Sequence, residues 1–335
     1  MRQAPRLNTG DLIDLVAPSF GVTTEPYLTR NIAAIKQFKK RGFFIHEGSC
    51  VHLEEGVASS ASGEKRGKEI MDAFRDDSKL VLSVGGGETM NEILPYIDFE
   101  EIKRLPPKWF MGFSDNTNLT FTLATLSDLI TVYGPCSTQF FMKKWRLSEL
   151  DALRLLEGEK HFKGYPKYSI TRRNEAHPLW TYRLTQKKII TPAFYEKPMK
   201  GILLGGCLDC LLNLCGTKYD RVKEFVKTHK DDGIIWFLEA CDLSPLDIRR
   251  GLFQLKEAGW FEHCSGFLMG RHLCGSNELF GVDKYSATLD MLSSFHQPIL
   301  MDVDLGHISP SLPIKVGAKA KVRYLNENIF IDYEE

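Results

Sequence analysis

Three side chains stand where chemistry could start: Ser114, Glu239 and His307, each closely following an apolar run. Ser114 lies in Gly112-Phe113-Ser114-Asp115-Asn116-Thr117, after Trp109-Phe110-Met111 and before a segment apolar at Leu119, Phe121, Leu123 and Leu126. A strand that turns into a helix at such a point projects a serine hydroxyl beyond the sheet edge. The amide after it is then aimed where an oxyanion would form. A serine hydroxyl is a weak nucleophile at neutral pH and needs a base. Histidine suits that task because its ordinary pKa of about 6.5 lets it take and return a proton. A carboxylate behind it fixes the tautomer and stabilises the imidazolium. The order serine, acid, histidine occurs in α/β-hydrolases, although Gly-Phe-Ser-Asp-Asn departs from G-x-S-x-G at its last position. Each residue also has a plainer reading: Ser114 as a helix cap, Glu239 as an exposed strand end, His307 as a turn residue beside Gly306.

The elements that must position these residues follow from the apolar pattern. Leu12 to Ala17 reads as a buried strand that ends in the turn at Pro18-Ser19. A helix over 28–41 stops at Gly42, with Ile32, Ile35 and Phe38 on one face, and Phe43-Phe44-Ile45 is the next strand. Lys65 to Phe74 is an amphipathic helix, and Leu80 to Val84 is a strand running into Gly85-Gly86-Gly87. A helix around Met90 to Leu94 precedes the strand that leads to Ser114. Strands alternating with helices predict a parallel sheet covered on both faces. Ligands in such sheets sit beyond the carboxyl ends of the strands, the edge that would hold Ser19, Gly85–Gly87 and Ser114.

Residues 144–195 are rich in Lys, Arg, Tyr and Trp with weak periodicity, and read as a linker with a loop or flap. Beyond them a strand over Gly201 to Leu204 ends at Gly205-Gly206, and a helix covers Leu208 to Leu214. Further strands are expected at Ile234 to Leu238, Gly266 to Met269 and Ile299 to Val303, with a helix over Asp247 to Gly259. Short alternating segments from Ile314 to Tyr333 read as closing strands.

Composition excludes several classes. The chain has 335 residues, 43% of them hydrophobic, enough for one large or two ordinary domains. Its 43 basic and 43 acidic residues give a formal net charge of zero, which points away from a nucleic-acid polymer. No apolar run approaches the roughly 20 residues that span a bilayer, and the start lacks a secretory signal. A cytoplasmic protein with no membrane partner is expected. The eight scattered cysteines are expected as reduced, buried thiols, Cys207-Leu208-Asp209-Cys210 included. Gly85–Gly87 lacks both the Gly-Lys-Ser/Thr of a P-loop and the third glycine of a dinucleotide fingerprint, so a tight turn accounts for it better. His263 and His272 flank Cys264 and Cys274, but the chain offers no His-x-x-x-His spacing. No metal and no cofactor are expected.

At these residues the chain resembles the LD-carboxypeptidase family of serine peptidases (S66), which includes muropeptide carboxypeptidases and the microcin C immunity peptidase. The resemblance is carried by Val16-Ala17-Pro18-Ser19, Gly85-Gly86 before Leu94-Pro95, Gly112-Phe113-Ser114-Asp115, Gly205-Gly206, Leu238-Glu239, and Gly306-His307 with Leu312-Pro313. It implies an α/β protein: a Rossmann-like N-terminal domain with a parallel sheet over 1–143, a linker or flap over 144–195, and a smaller β-rich C-terminal domain over 196–335. The active site would lie in the interdomain cleft. Ser114 maps to the nucleophile, His307 to the general base and Glu239 to the orienting acid. Asp115 and Gly86 or Gly87 would supply oxyanion amides.

The resemblance implies a homodimer that hydrolyses an amide bond in a small peptide. One branch of the family removes the terminal D-Ala of a muropeptide. Another cleaves peptidyl or aminoacyl nucleotides, and the length and the 144–195 insertion favour that branch. Trp180 could then stack on a nucleobase, a contact worth about 1–3 kcal/mol, or it could merely anchor the flap. Gly205 and Gly206 would line the substrate. Two departures stand out: Cys207 follows Gly205-Gly206 where the family commonly has Asn, and Lys315 stands where a Gly often follows Leu-Pro-Ile. A non-catalytic protein that holds a peptide or glycan with the same residues is the reading from another class, and an NAD-dependent oxidoreductase is disfavoured by the incomplete glycine fingerprint.

Overall fold

The computed structural model describes residues 1–170, 177–274 and 277–334. They form two compact units. The first comprises residues 1–159, the described part of 171–182, and 313–315; the second comprises 160–170, 183–312 and 316–334.

In the first unit, β1 (Leu12–Val16), α1 (Tyr27–Lys40), β2 (Phe44–Glu47), α2 (Gly63–Arg75), β3 (Leu80–Ser83), α3 (Phe99–Arg104), β4 (Trp109–Gly112), α4 (Thr117–Ser127) and β5 (Thr131–Tyr133) alternate, α3 and β5 being additions to the elements expected from the pattern. Strands β1 to β5 pair in parallel. All residues of β3, β4 and β5 are buried, as strands covered on both faces must be. The helices start with local devices: Ser62 Oγ accepts from Lys65 N at the head of α2, and Asp98 accepts from Glu101 N at the head of α3. The segment expected as a helix at Met90–Leu94 is a 3-10 helix over Met90–Tyr96 with Pro95 inside it. Proline lacks the N–H that an α-helix interior requires. The expected inward face of α1 is also rotated. Phe38 is buried as expected, but Ile32 is exposed, and Asn31, Ala34 and Gln37 are the residues buried with Phe38.

The second unit is built on an eight-stranded sheet. After α5 (Leu147–Leu156), which belongs to the first unit, come β6 (His161–Lys163), β7 (Lys167–Tyr168), β8 (Gln186–Lys187), β9 (Thr191–Ala193), β10 (Met199–Cys207), α6 (Leu208–Leu214), α7 (Val222–Thr228), β11 (Ile234–Glu239), α8 (Pro245–Glu257), β12 (Cys264–Gly270), α9 (Lys284–Leu292) and β13 (Ile299–Val303). Near the C-terminus, β14 (Ile314–Val316) returns to the edge of the first sheet beside β5. β15 (Lys319–Leu325) and β16 (Asn328–Tyr333) close the second, whose order is β6-β16-β15-β10-β11-β12-β13-β9. Strands β10 to β13 are parallel and the flanking ones antiparallel. Beneath them Trp236 stacks on Trp260, and Phe261 packs edge-on to both Trp236 and Phe267.

Strand β10 runs through Gly205-Gly206 to Cys207 instead of ending at the glycines. The reason is close packing within the sheet. A Cβ on Gly205, whose φ is +149°, would lie 1.8 Å from the Phe237 carbonyl oxygen. The glycine lets the strand continue where a side chain would part it from β11.

The segment 144–195 holds more regular structure than its composition suggests. It contains α5 and four short strands, and it is divided between the two units. β7 and β8 pair as an antiparallel ribbon, Lys167 opposite Lys187 and Tyr168 opposite Gln186, so the excursion between them is closed at its base. Part of the expected flap, residues 171–176, lies outside the described residues. Among the described residues, no helix is long and apolar enough to cross a membrane.

Candidate active site

Ser114 stands two residues past Gly112, the last residue of β4, at the sharp passage from strand to helix. Phe113 is extended, and Ser114 takes φ +63°, the left-handed region that a residue with a Cβ enters at a cost. The turn is held from several sides. The Ser114 amide donates to Tyr133 Oη at 3.1 Å. Asn116 Nδ2 donates to the carbonyls of Gly85 and Phe113, each at 3.0 Å. A Cβ on Gly112 would meet Asn116 Cγ at 2.5 Å, so the glycine gives that amide its room.

Asp115 ties this turn to its neighbours. Its Oδ2 accepts from Ser19 Oγ at 2.5 Å and from the Met90 amide at 2.9 Å, and Asn118 Nδ2 donates to its Oδ1 at 3.0 Å. Burial pushes the Asp115 carboxyl upward, while Ser19, the Met90 amide and the charge of Arg66 act against that rise. Arg66 is fully buried and donates to the carbonyls of Pro18 and Thr89, with a bond to Glu92 at its outer end. The glycines of the adjoining loop lie against the same groups. A Cβ on Gly86 would sit 3.2 Å from Ser114 Cβ, and one on Gly87 would sit 2.1 Å from Ser19 Oγ. The sequence motifs at Pro18-Ser19, Gly85–Gly87 and Gly112–Asp115 thus converge in one place in the first unit.

In the second unit, Glu239 ends β11 and His307 follows β13. His307 Nδ1 lies 2.9 Å from Glu239 Oε2. Glu239 is fully buried, and the His307 side chain is 14% exposed. The carboxylate is wedged by two glycines. A Cβ on Gly306, whose φ is +91°, would lie 2.2 Å from Glu239 Oε2, and one on Gly270 would lie 2.7 Å from Glu239 Cβ. The loop carrying the histidine is pinned where the Gly306 amide donates to Ser311 Oγ at 3.0 Å. Burial works to lower the His307 pKa, but the Glu239 carboxylate and a hydrogen bond to the Cys241 thiol outweigh it. The imidazolium is held well above the ordinary histidine range. The plainer reading of Glu239 as an exposed strand end therefore fails, while His307 does lie in a bend beside Gly306 and is bonded there to the carboxylate.

Three residues beside this pair were not foreseen there. Strand register sets Cys207 opposite Glu239. Cys207 Sγ lies 3.3 Å from Asp209 Oδ2, and the same carboxylate accepts from the Cys241 and Asp242 amides at 3.0 Å each. Nothing in the linear spacing of residues 207, 209, 239 and 241 announces this cluster; only the parallel pairing of β10 with β11 does. All eight cysteines are free. Among the described residues, the groups placed to hold a metal ion are Cys207 with Glu239 and His307, and Asp14 with His46 and Asp76. Neither includes His263, Cys264, His272 or Cys274.

Trp180 is half-buried, and the turn that carries it is tied to α1. Arg30 donates to the carbonyls of Pro178 and Trp180 at 2.6 and 3.0 Å.

The family models agree with this architecture. The LD-carboxypeptidase N-terminal domain matches residues 13–134, and the LD-carboxypeptidase C-terminal domain matches residues 200–322. The chain belongs to the LD-carboxypeptidase family. Within that family it is similar to the microcin C7 self-immunity protein MccF of Escherichia coli, 25% identical with 98% of this chain and 95% of that protein covered. It is also similar to a Bacillus subtilis protein described as a probable murein peptide carboxypeptidase, 26% identical with 97% and 93% covered. Among solved structures, that of MccF in its inactive mutant apo state superposes with a TM-score of 0.84 at 23% identity, over 99% of this chain and 98% of the other. A muramoyltetrapeptide carboxypeptidase from Oxalobacter formigenes gives 0.69 at 22% identity, with 97% and 99% covered. The LD-carboxypeptidase fold thus holds over nearly the whole chain.

Proposed function

We propose that this LD-carboxypeptidase family member is a serine carboxypeptidase in which Ser114 attacks an amide carbonyl, His307 takes its proton, and Glu239 orients the imidazole. The observation that carries the reading is the bond from His307 Nδ1 to the buried Glu239 carboxylate, which leaves Nε2 as the nitrogen for proton transfer. The left-handed conformation of Ser114 supports it, because strained serine turns present a hydroxyl together with the next amide. The amides of Asp115 and of Gly86 or Gly87 would receive the oxyanion as fixed dipoles that need no reorganisation. Collapse of the tetrahedral intermediate breaks the C–N bond, and the His307 proton goes to the leaving amine. Water, deprotonated by the same imidazole, then releases the acyl group from Ser114 Oγ. The same reading makes the protein a cytoplasmic homodimer without a cofactor, and eight free thiols suit a reducing compartment.

For the substrate we favour a peptidyl or aminoacyl nucleotide. Support comes from the match to the MccF sequence over nearly the full length of both chains. Solved structures of MccF hold aspartyl sulfamoyl adenosine and glutamyl sulfamoyl guanosine. Trp180 would face the base, with Gly205 and Gly206 along the acyl portion. A muropeptide ending in D-Ala is the second reading, supported by the equally extensive match to the murein peptide carboxypeptidase.

Hydrolysis of an aminoacyl sulfamoyl adenosine and of a murein tetrapeptide separates the two. The expected outcome is cleavage of the nucleotide conjugate, with kcat/KM reduced about 10⁴-fold or more in Ser114→Ala. Cleavage of the tetrapeptide alone would select the second reading. Full activity in Ser114→Ala would end both, and inertness toward both substrates would favour a binding protein.

A further inference from the structure

Cys207, Glu239 and His307 make a second chemical device out of the residues around the base. Each presents a donor atom, and the three donors lie within 4.8 Å of one another. Cys207 and Glu239 are almost wholly buried and the His307 side chain is 14% exposed, so the donors are shielded from water. A tetrahedral zinc ion has bonds of about 2.3 Å to sulfur and 2.0–2.2 Å to nitrogen and oxygen, which puts its ligand atoms roughly 3.3–3.6 Å apart. The His307–Glu239 separation of 2.9 Å would need to open slightly and the sulfur to move inward. Both are side-chain adjustments. The backbone frame is fixed by the register of β10 and β11 and by Gly306 packed on Glu239.

We propose that this cluster is a binding site for a thiophilic divalent cation, zinc above all, ligated by Cys207 Sγ, a Glu239 carboxylate oxygen and His307. A thiolate, an imidazole and a carboxylate together select zinc or cobalt over magnesium or calcium, which prefer all-oxygen sites. On binding, the ion replaces the thiol proton of Cys207 and the proton shared between His307 Nδ1 and Glu239, and both leave to solvent. Two donor sets stand close by. The Cys241 thiol is hydrogen-bonded to His307, and the Cys210 thiol to Cys207, so a fourth ligand other than water is within reach of small motions. An amide at position 207 would give no thiolate, so the site depends on the cysteine.

The site exists whether or not the protein is a hydrolase. If it is one, the ion takes the position of the bond that orients the base and switches the enzyme off. The test is a titration of the chelator-stripped full chain with Co²⁺, reading the near-ultraviolet thiolate-to-cobalt band, followed by displacement with Zn²⁺. One ion per chain and a thiolate band are expected. Cys207→Ser and Cys207→Asn should lose the band and bind Zn²⁺ about tenfold or more weakly. His307→Ala should weaken Zn²⁺ to a similar degree, and Cys274→Ser, at an exposed thiol, should change nothing. Circular dichroism confirms that each variant is folded. A band that survives in both Cys207 variants places the thiolate elsewhere and overturns the proposal, as does the absence of stoichiometric binding. Should no substrate be cleaved, the hydrolase reading fails while these binding results still decide the metal site. Should a substrate be cleaved, Zn²⁺ must inhibit the wild type and leave Cys207→Asn resistant.

Discussion

His307 carries its charge further into the alkaline range than an ordinary histidine, because the buried Glu239 carboxylate outweighs the desolvation that acts against it. A general base works only when neutral. The acid limb of kcat/KM is therefore expected above the ordinary imidazole pKa of about 6.5, with activity falling as the pH is lowered through it. Glu239→Gln should move that limb downward, since the neutral amide no longer favours the imidazolium, and should cut kcat by about 10⁴-fold through loss of the tautomer. A pH–rate profile of both proteins checks the sign, and a limb that stays in place would separate Glu239 from the histidine's titration. At this scale the sequence was readable for position, since Ser114, Glu239 and His307 each stand at or just beyond a strand end as their apolar runs imply. It marked Cys207 only as a departure in a glycine motif and was silent on Asp209 and Cys241; that these lie around Glu239 depends on which strand lies beside which. It was equally silent on Arg66, an outwardly ordinary helix residue whose guanidinium is buried against Pro18 and Thr89.

The elements were legible wherever apolar periodicity stood alone, as in β1, β11 and β13. They were misjudged where a glycine or proline carried a meaning that linear spacing does not show. Gly205-Gly206 looked like a stop and is instead a seam along which two strands approach. Gly205→Ala should destabilise the protein by about 3 kcal/mol or more, because its Cβ would press on the Phe237 carbonyl and its φ is left-handed. Gly10→Ala, also at positive φ but with nothing within 4 Å of the added Cβ, should cost only about 1 kcal/mol. Urea denaturation of the two variants compares packing against backbone conformation alone. Equal losses would show that close approach at Gly205 contributes nothing.

For the whole molecule, His272 sets a vulnerability to acid. It is fully buried, and burial lowers its pKa to about 4, against the opposing charges of Glu239 and Asp302 and with help from Lys284. The unfolded chain binds this proton more readily than the folded one, so the contribution is fully present above about 6.5 and is lost as the pH falls toward 4. It amounts to about 3 kcal/mol at most. Asp14 and Glu69, both raised by burial to about 7, act in the opposite sense, losing stability as the pH rises toward that value. The difference between wild type and His272→Phe isolates the histidine. Thermal melts should show the wild type falling faster than the variant between pH 6.5 and 4, and parallel curves would remove His272 from the account. The return of β14 to the first sheet has another consequence, which concerns time. The ribosome makes β5 early, yet its edge partner is encoded beyond every parallel strand of the second unit. At about 5–20 residues per second, the nascent first sheet waits on the order of ten seconds or more with one hydrogen-bonding edge uncovered. During translation this edge is open to pairing with the wrong strand, and a stalled or prematurely terminated chain would keep it so.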